Sequence, residues 1–322
     1  MVSEASLFPS ISPFREGVLA LGHGHQMHWQ LSGNPQGQPV LWIHGGPGSS
    51  ASPMHRRLFD PQKYLIIQYD QRGCGRSQPK GEVQHNTTQD LLADIERLRQ
   101  MLGLPVWHVA GGSWGGSLAL LYAQAHPEVV SRLLLRSPFL CTDREIDAYL
   151  LTPPAACQAQ WQQLVDLCHQ AGPTTILRYS QAVFLGNAGA ADTAVNRSRQ
   201  IELARAWAVY EAAMDAFPVD TRPPTRFDDE ALIARYRVHL HYLWFRCFIE
   251  RPILSHPERL KHLDLTMVHG DHDALCPFEN SLDIQRQVPN ARLVRVAGAG
   301  HNAFDARMVK ALMHEISAWT FE

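Results

Sequence analysis

Residues 106–119 read Val106-Trp-His-Val-Ala-Gly-Gly-Ser-Trp-Gly-Gly-Ser-Leu-Ala119. An apolar, partly β-branched run enters Gly111-Gly112-Ser113-Trp114-Gly115 and leaves into a stretch of small residues suited to a helix. The pattern is G-x-S-x-G between a predicted strand and a predicted helix. In that context the chain turns sharply and lifts the serine hydroxyl above the sheet edge. So tight a turn needs nearly side-chain-free positions two before and two after the serine, which Gly111 and Gly115 provide. Ser113 would head a helix, where backbone N–H groups favour developing negative charge.

Outward from this turn, short apolar runs alternate with helical patterns. Buried strands are predicted at 39–44, 64–70, 106–110, 132–136, 265–269 and 292–297. Residues 18–21 and 26–31 flank Gly22-His-Gly-His25 and read as a leading β-hairpin. Between Asn86 and Gly103 a helix is expected, capped by Thr87 with Asp90, with Leu91, Ile95, Leu98 and Leu102 as its buried stripe. From about Cys141 to Pro257 the strand-like runs vanish. Leu203, Trp207, Tyr210, Met214 and Phe217 fall at helical spacing, as do Leu232, Tyr236, His239, Leu243 and Cys247, with a chain break at Pro223-Pro224. The reading is a core domain of residues 1–140 and 259–322 with a helical cap of residues 141–258 inserted in it. Its fold class is α/β: an α/β-hydrolase fold, with a mostly parallel central sheet flanked by helices.

A serine hydroxyl needs a base, and in this fold the order is Ser, acid, His. The strand at 265–269 runs into Gly270-Asp271-His272-Asp273, and that at 292–297 into Gly298-Ala-Gly-His301. Both ends fall on the sheet edge expected for Ser113. His301 is therefore the candidate general base. Asp273 is the candidate acid, since Asp271 is better placed to cap its own turn. The acid would hold the imidazole tautomer and stabilise the imidazolium. An oxyanion hole is expected from the Trp114 N–H and one amide of His44-Gly45-Gly46-Pro47-Gly48, with Gly46 first and Gly45 second.

The bulk properties narrow the field. The 322 residues are 45% hydrophobic and 9% aromatic, with a formal net charge of −2. No broad electrostatic field is implied, so nucleic acid and acidic membrane surfaces are not expected partners. No apolar run approaches the ~20 residues of a membrane span. Residues 1–15 hold no targeting pattern, and the six cysteines are scattered without a C-x-x-C pair; reduced thiols in the cytoplasm are expected. His23-x-His25, His239-Leu-His241 and His269-x-x-His272 do not meet the spacing rules of a metal site, and no metal is expected.

With these residues in hand, the chain resembles the proline iminopeptidase (prolyl aminopeptidase) family over nearly its whole length. The resemblance rests on His44-Gly-Gly-Pro-Gly48, Asp70-Gln-Arg-Gly-Cys-Gly-Arg-Ser77, Asn86-Thr-Thr with Asp90 and Asp94-Ile-Glu-Arg97, Gly111-Gly-Ser-Trp-Gly115, Tyr122-Ala-Gln, His126-Pro127, Gly270-x-x-Asp273 and Gly298-Ala-Gly-His301. It implies Asp273 as the acid, release of N-terminal proline from peptides, and no metal or organic cofactor. It also implies substrate-amine binding by cap carboxylates. One lies in a W-x-x-W-E-like segment, here Trp207-Ala-Val-Tyr-Glu211, which gives Glu211. The second lies in an A-R-I-E-N-H-Y-F-like segment, where this chain carries His239 in place of Glu. A neutral imidazole accepts a hydrogen bond from an ammonium but adds no charge attraction. Other amino-acid amides or small esters are therefore the competing substrate class.

Overall fold

The computed structural model describes residues 7–169, 172, 174–186, 194–219 and 226–319; the break expected at Pro223-Pro224 lies outside them. In chain order the elements are β1 (Arg15–Gly22), β2 (His25–Gly33), β3 (Gln38–Ile43), α1 (Pro53–Arg56), β4 (Tyr64–Tyr69), α2 (Thr88–Met101), β5 (Trp107–Ser113), α3 (Trp114–Ala125) and β6 (Val130–Pro138). Among the described residues, α-helices then follow at α4 (Asp143–Leu151), α5 (Gln158–His169), α6 (Ile176–Leu185), α7 (Ala194–Ala216) and α8 (Asp229–Trp244). The chain then returns to β7 (Asp264–Gly270), α9 (Glu279–Gln287), β8 (Arg292–Val296) and α10 (Ala306–Ser317).

The eight strands form one sheet in the order β1-β2-β4-β3-β5-β6-β7-β8. β2 runs antiparallel to β1 and to β4, and every other neighbour pair is parallel. The central strands read as apolar runs because helices cover both faces. Alternate residues serve the two sides: Leu41, Ile43 and Val109 join one core cluster, Val40, Trp42 and Ala110 the other.

β5 runs three residues past its predicted end, through Gly111 and Gly112 to Ser113. Glycine weakens a strand on propensity alone. Here Gly111 is paired on both sides, with Ile43 of β3 and Leu135 of β6, and the two ladders carry the strand to the turn. The α2 helix has the anticipated capping box, with reciprocal bonds between Thr87 and Asp90. An unanticipated second box, Thr142 with Glu145, starts α4 just after β6 and sets where the strand pattern gives way to helices.

Helix α8 is fastened to the core at several points. The Tyr242 hydroxyl donates to Asn86 Oδ1 at 2.8 Å, His241 Nε2 lies 2.9 Å from the Asn86 carbonyl, and His239 Nδ1 lies 3.1 Å from the Pro47 carbonyl. A side chain on Gly48 would overlap the Arg235 carbonyl, so this glycine lets the helix rest on the loop after β3.

Candidate active site

Ser113 has φ 57° and ψ −126°, a backbone conformation that residues with a Cβ rarely adopt. Such a position costs on the order of 1–3 kcal/mol and persists only where the surroundings enforce it. β3 and β6 hold the preceding strand from both sides, and Phe139 N–H donates to the Ser113 carbonyl at 3.3 Å. A Cβ on Gly111 would strike the Gly115 carbonyl, and one on Gly115 would strike the Ile43 carbonyl. The turn therefore admits glycine alone at both positions, as its sequence pattern implied.

His301 follows β8, and its Nδ1 lies 2.8 Å from Asp273 Oδ2. The Asp273 side chain is fully buried. Its other oxygen accepts the backbone N–H groups of Leu275 at 3.0 Å and Cys276 at 2.8 Å. Burial alone would raise its pKa, but the charge and hydrogen bonds of His301 and His269 hold the carboxyl far below the usual range. Asp271 has a different environment. It accepts Gly298 N–H at 2.6 Å and the Arg295 guanidinium, bracing one loop against the next, and the bonds from His272, Arg295 and Gly298 outweigh desolvation and lower it to about 2. Arg136 of β6 donates from Nη1 to the His301 carbonyl at 2.7 Å. Ser113 Oγ lies 3.9 Å from Cys276 Sγ. Ser113 and His301 line one cavity of about 500 Å³, so the three expected residues converge at one sheet edge.

Gly46 lines the same cavity and has φ +125°, open to glycine. Trp114 is the first residue of α3, so its N–H has no partner within the helix. Gln71 ties these two parts together. Its amide nitrogen donates to the His44 carbonyl at 2.7 Å, its backbone N–H donates to His44 Nε2 at 3.0 Å, and its side-chain oxygen accepts Trp114 Nε1 at 3.0 Å. The rest of the Asp70–Ser77 run is equally committed. Asp70 accepts the N–H groups of Ala51 and Arg76, and Arg72 forms a two-pronged pair with buried Asp94 at 2.6 and 2.8 Å. None of this was assigned from sequence, although the run itself was singled out.

A smaller pocket of about 70 Å³ opens beside Ser113, walled by Phe139, Ile146, Tyr149, Leu243 and Cys276. Glu211 and His239 both line it. Glu211 Oε2 accepts Arg235 Nη2 at 2.8 Å and the Tyr236 hydroxyl at 2.7 Å. Oε1 accepts only a longer bond from the Tyr149 hydroxyl, at 3.2 Å, and faces His239 Nε2 at 3.7 Å. Burial opposes the Glu211 charge, yet Arg235, His239 and the two phenols hold its pKa below the usual value. Burial pushes His239 the other way, below the ordinary imidazole value, despite the Glu211 charge. A neutral His239 must keep its proton on Nδ1 to donate to Pro47 O, which leaves Nε2 a bare acceptor. That atom is buried and has no hydrogen-bond partner. Arg235 was missed from sequence because on the helical pattern it reads as a surface residue.

Among the described residues, no three His, Cys, Asp or Glu side chains converge as a metal would need, and no helix is long and apolar enough to cross a membrane.

A family model described as the alpha/beta hydrolase fold matches residues 38–307. Solved structures agree on the fold. A carboxylesterase of Nitrososphaera gargenis superposes with a TM-score of 0.61 at 15% identity, over 94% of this chain and 98% of its own. An epoxide hydrolase from hot-environment metagenomes gives 0.59 at 19% identity, over 95% and 99%. Sequence relatives are more specific. A proline iminopeptidase of Neisseria meningitidis serogroup A is 38% identical over 94% of this chain and 96% of its own. One from Arabidopsis thaliana is 36% identical over 94% and 79%, and a probable proline iminopeptidase of Leptolyngbya boryana 35% over 95% and 94%. Full-length similarity of this order, on a sheet that carries the Gly111–Gly115 turn and the His301–Asp273 pair on one edge, makes the chain a member of the proline iminopeptidase family of α/β hydrolases.

Proposed function

We propose that this chain is a serine aminopeptidase that releases N-terminal proline from peptides. Ser113 Oγ attacks the carbonyl carbon of the first residue while His301 takes its proton. Asp273 holds the imidazole and stabilises the resulting imidazolium. The oxyanion is received by the N–H groups of Gly46 and Trp114. The intermediate collapses as His301 returns the proton to the departing amine. Water, deprotonated by His301, then attacks the acyl-enzyme, and proline leaves with Ser113 restored. No step needs a metal or cofactor. Residues 141–258 act as a cap over a core of residues 1–140 and 259–322, and supply the pocket that reads the substrate's first residue. The six cysteines, all buried and free, suit a reducing cytoplasm.

The observation that carries the reading is the pair Glu211 Oε1 and His239 Nε2. Two acceptors 3.7 Å apart stand side by side in the wall of the smaller pocket, one lightly used and one unused. Bare buried acceptors are costly unless a donor arrives. Protonated N-terminal proline carries two N–H groups on one nitrogen, one for each, and its compact apolar ring suits the Phe139, Ile146 and Leu243 walls. The test is a panel of anilides of proline, N-acetylproline, alanine and leucine. The free proline compound should be cleaved best and the acetylated one hardly at all. Equal turnover of the first two would overturn the assignment.

A second reading rests on the Arg235–Glu211 ion pair. It leaves the pocket close to neutral, which favours neutral amino-acid amides or small esters. Faster cleavage of a neutral aryl ester of matched size than of proline anilide, set against their intrinsic reactivities, is the result that would select it.

A further inference from the structure

Glu211 and Asp215 lie four residues apart on α7, hence on one face and about 6 Å along the axis. Glu211 lines both cavities; Asp215 lines the larger one alone, with Ser113, His301 and Arg136. Among the described residues Asp215 has no hydrogen bond and no cation within ion-pair distance, unlike Glu211 with Arg235 and Asp273 with His301. The C-terminal end of α7 abuts the loop that carries His301: a side chain on Gly300 would overlap the Phe217 carbonyl. Asp215 thus shares a cavity wall with His301 and Arg136, and of the two α7 carboxylates only Glu211 also reaches the smaller pocket.

We propose that Asp215 sets specificity on the leaving-group side, favouring peptides whose second residue carries a cationic side chain. The inference rests on the aminopeptidase reading for its orientation. If the proline ring occupies the pocket beside Glu211 and His239, the departing nitrogen must meet His301, which protonates it. The residue attached to that nitrogen then extends into the larger cavity, past Asp215. A carboxylate without a cation there attracts Lys or Arg at the second position and repels Asp or Glu. The opposing charges on the cavity wall are Arg235, which is paired with Glu211, and Arg136. Arg136 belongs to the sheet rather than to α7, its guanidinium lies against Gly112, and its Nη1 is taken by the His301 carbonyl. It is therefore less free than Asp215 to turn toward a passing side chain.

The test compares kcat/KM for Pro-Lys-NH2, Pro-Ala-NH2 and Pro-Glu-NH2 at low ionic strength, in wild type, Asp215→Asn and Asp215→Lys. A charged hydrogen bond in a partly open cavity, discounted for screening, gives a preference of Lys over Glu of about tenfold in wild type. The ratio should approach one in Asp215→Asn and invert in Asp215→Lys. A charge-sensitive ratio is the readout because loss of packing alone would slow all three peptides together. A ratio near one in wild type, or one untouched by either substitution, overturns the proposal. So does a preference for Glu, which would mean that Arg136 governs the cavity. If prolyl amides are not cleaved at all, the aminopeptidase reading fails separately. Asp215 is then tested by the same ratio for esters of a cationic and an anionic alcohol on the best acyl group.

Discussion

Arg235 Nη2 donates to Glu211 Oε2 at 2.8 Å, so the carboxylate beside Ser113 is partly neutralised before any substrate arrives. Charge attraction for an ammonium is correspondingly reduced. Arg235→Gln should raise kcat/KM for proline anilide relative to a neutral aryl ester by about five- to tenfold. The Arg235 side chain is 38% exposed, so the stability lost should be only about 1 kcal/mol after screening. The two kinetic constants, with a urea titration, check this; an unchanged ratio would show that Glu211 does not meet the amine.

Ser113 sits at φ 57°, a value that favours glycine. Ser113→Ala keeps the strain and removes the nucleophile, and kcat should fall roughly a million-fold, as in whole-unit triad losses. Ser113→Gly should be equally inactive but more stable than Ser113→Ala by about 1 kcal/mol, since relief of strain exceeds the entropy that glycine adds to the unfolded chain. Thermal unfolding of the two dead variants decides it. A fluorophosphonate should label Ser113 in wild type and neither variant.

How much of this was legible in the sequence follows from what each residue does. Ser113, His301 and Asp273 stand at strand ends, and strand ends are visible as apolar runs stopping at Gly or Asp. The hairpin and the α2 cap were equally plain, being local in sequence. The reach of β5 through its glycines was not, because the partners that hold it lie about seventy residues before and twenty after. The pocket was only half visible. Glu211 and His239 were named only through the family resemblance, and their hydrogen bonding depends on Arg235 and on Pro47 in a distant loop. Asp215 is one turn from Glu211 and looks like any helix-face carboxylate until the loop bearing His301 is placed against it.

The two loop aspartates should separate cleanly. Asp273→Asn should lower kcat about ten-thousand-fold, because an amide favours the wrong imidazole tautomer. Asp271→Asn should leave kcat within a few-fold and lower the melting temperature, since its partners are Gly298, Arg295 and His272 rather than the base. Kinetics and melting curves of the pair suffice, and a dead Asp271 variant would reverse the assignment.

Acid should destabilise the fold from an unusually high pH. Burial lowers His55 to about 3 and His108 to about 4, and pushes His44, His239 and His241 down as well. Below about 6.5 the unfolded chain binds protons that the folded chain refuses. Stability is therefore full above that value and is lost as pH falls toward about 4 and 3. Carboxylates such as Asp271 add their loss only below about 4, because its folded value is about 2. His55 stacks on Trp42 at 4.7 Å, so His55→Phe keeps an aromatic contact while removing one titrating group. Urea midpoints from pH 7 to 4 should fall less steeply in this variant. Parallel curves would mean that His55 is not buried neutral.

The remaining prediction concerns His239. Its neighbours are Glu211 from α7, Arg235 and Tyr236 from its own helix, Tyr149 from α4 and Pro47 from the loop after β3. Burial lowers its pKa, so the imidazole stays neutral below its ordinary 6.5 and offers Nε2 as an acceptor. Once protonated, it pairs with Glu211 and repels the substrate ammonium. Every substrate depends on the same triad, so the informative quantity is a ratio: kcat/KM for proline anilide over that for a neutral aryl ester. In wild type the ratio should hold from pH 8 through 6.5 and fall only as pH drops through the lowered His239 value. In His239→Gln, which cannot gain a proton, it should stay level through that fall, while Glu211, itself lowered, remains ionised. His239→Glu restores a second carboxylate, and at pH 7 its ratio should exceed that of wild type about tenfold. It should then fall only in the carboxylate range. One ratio that ignores both pH and substitution would sink amine recognition at this position and leave a serine hydrolase whose pocket reads shape alone.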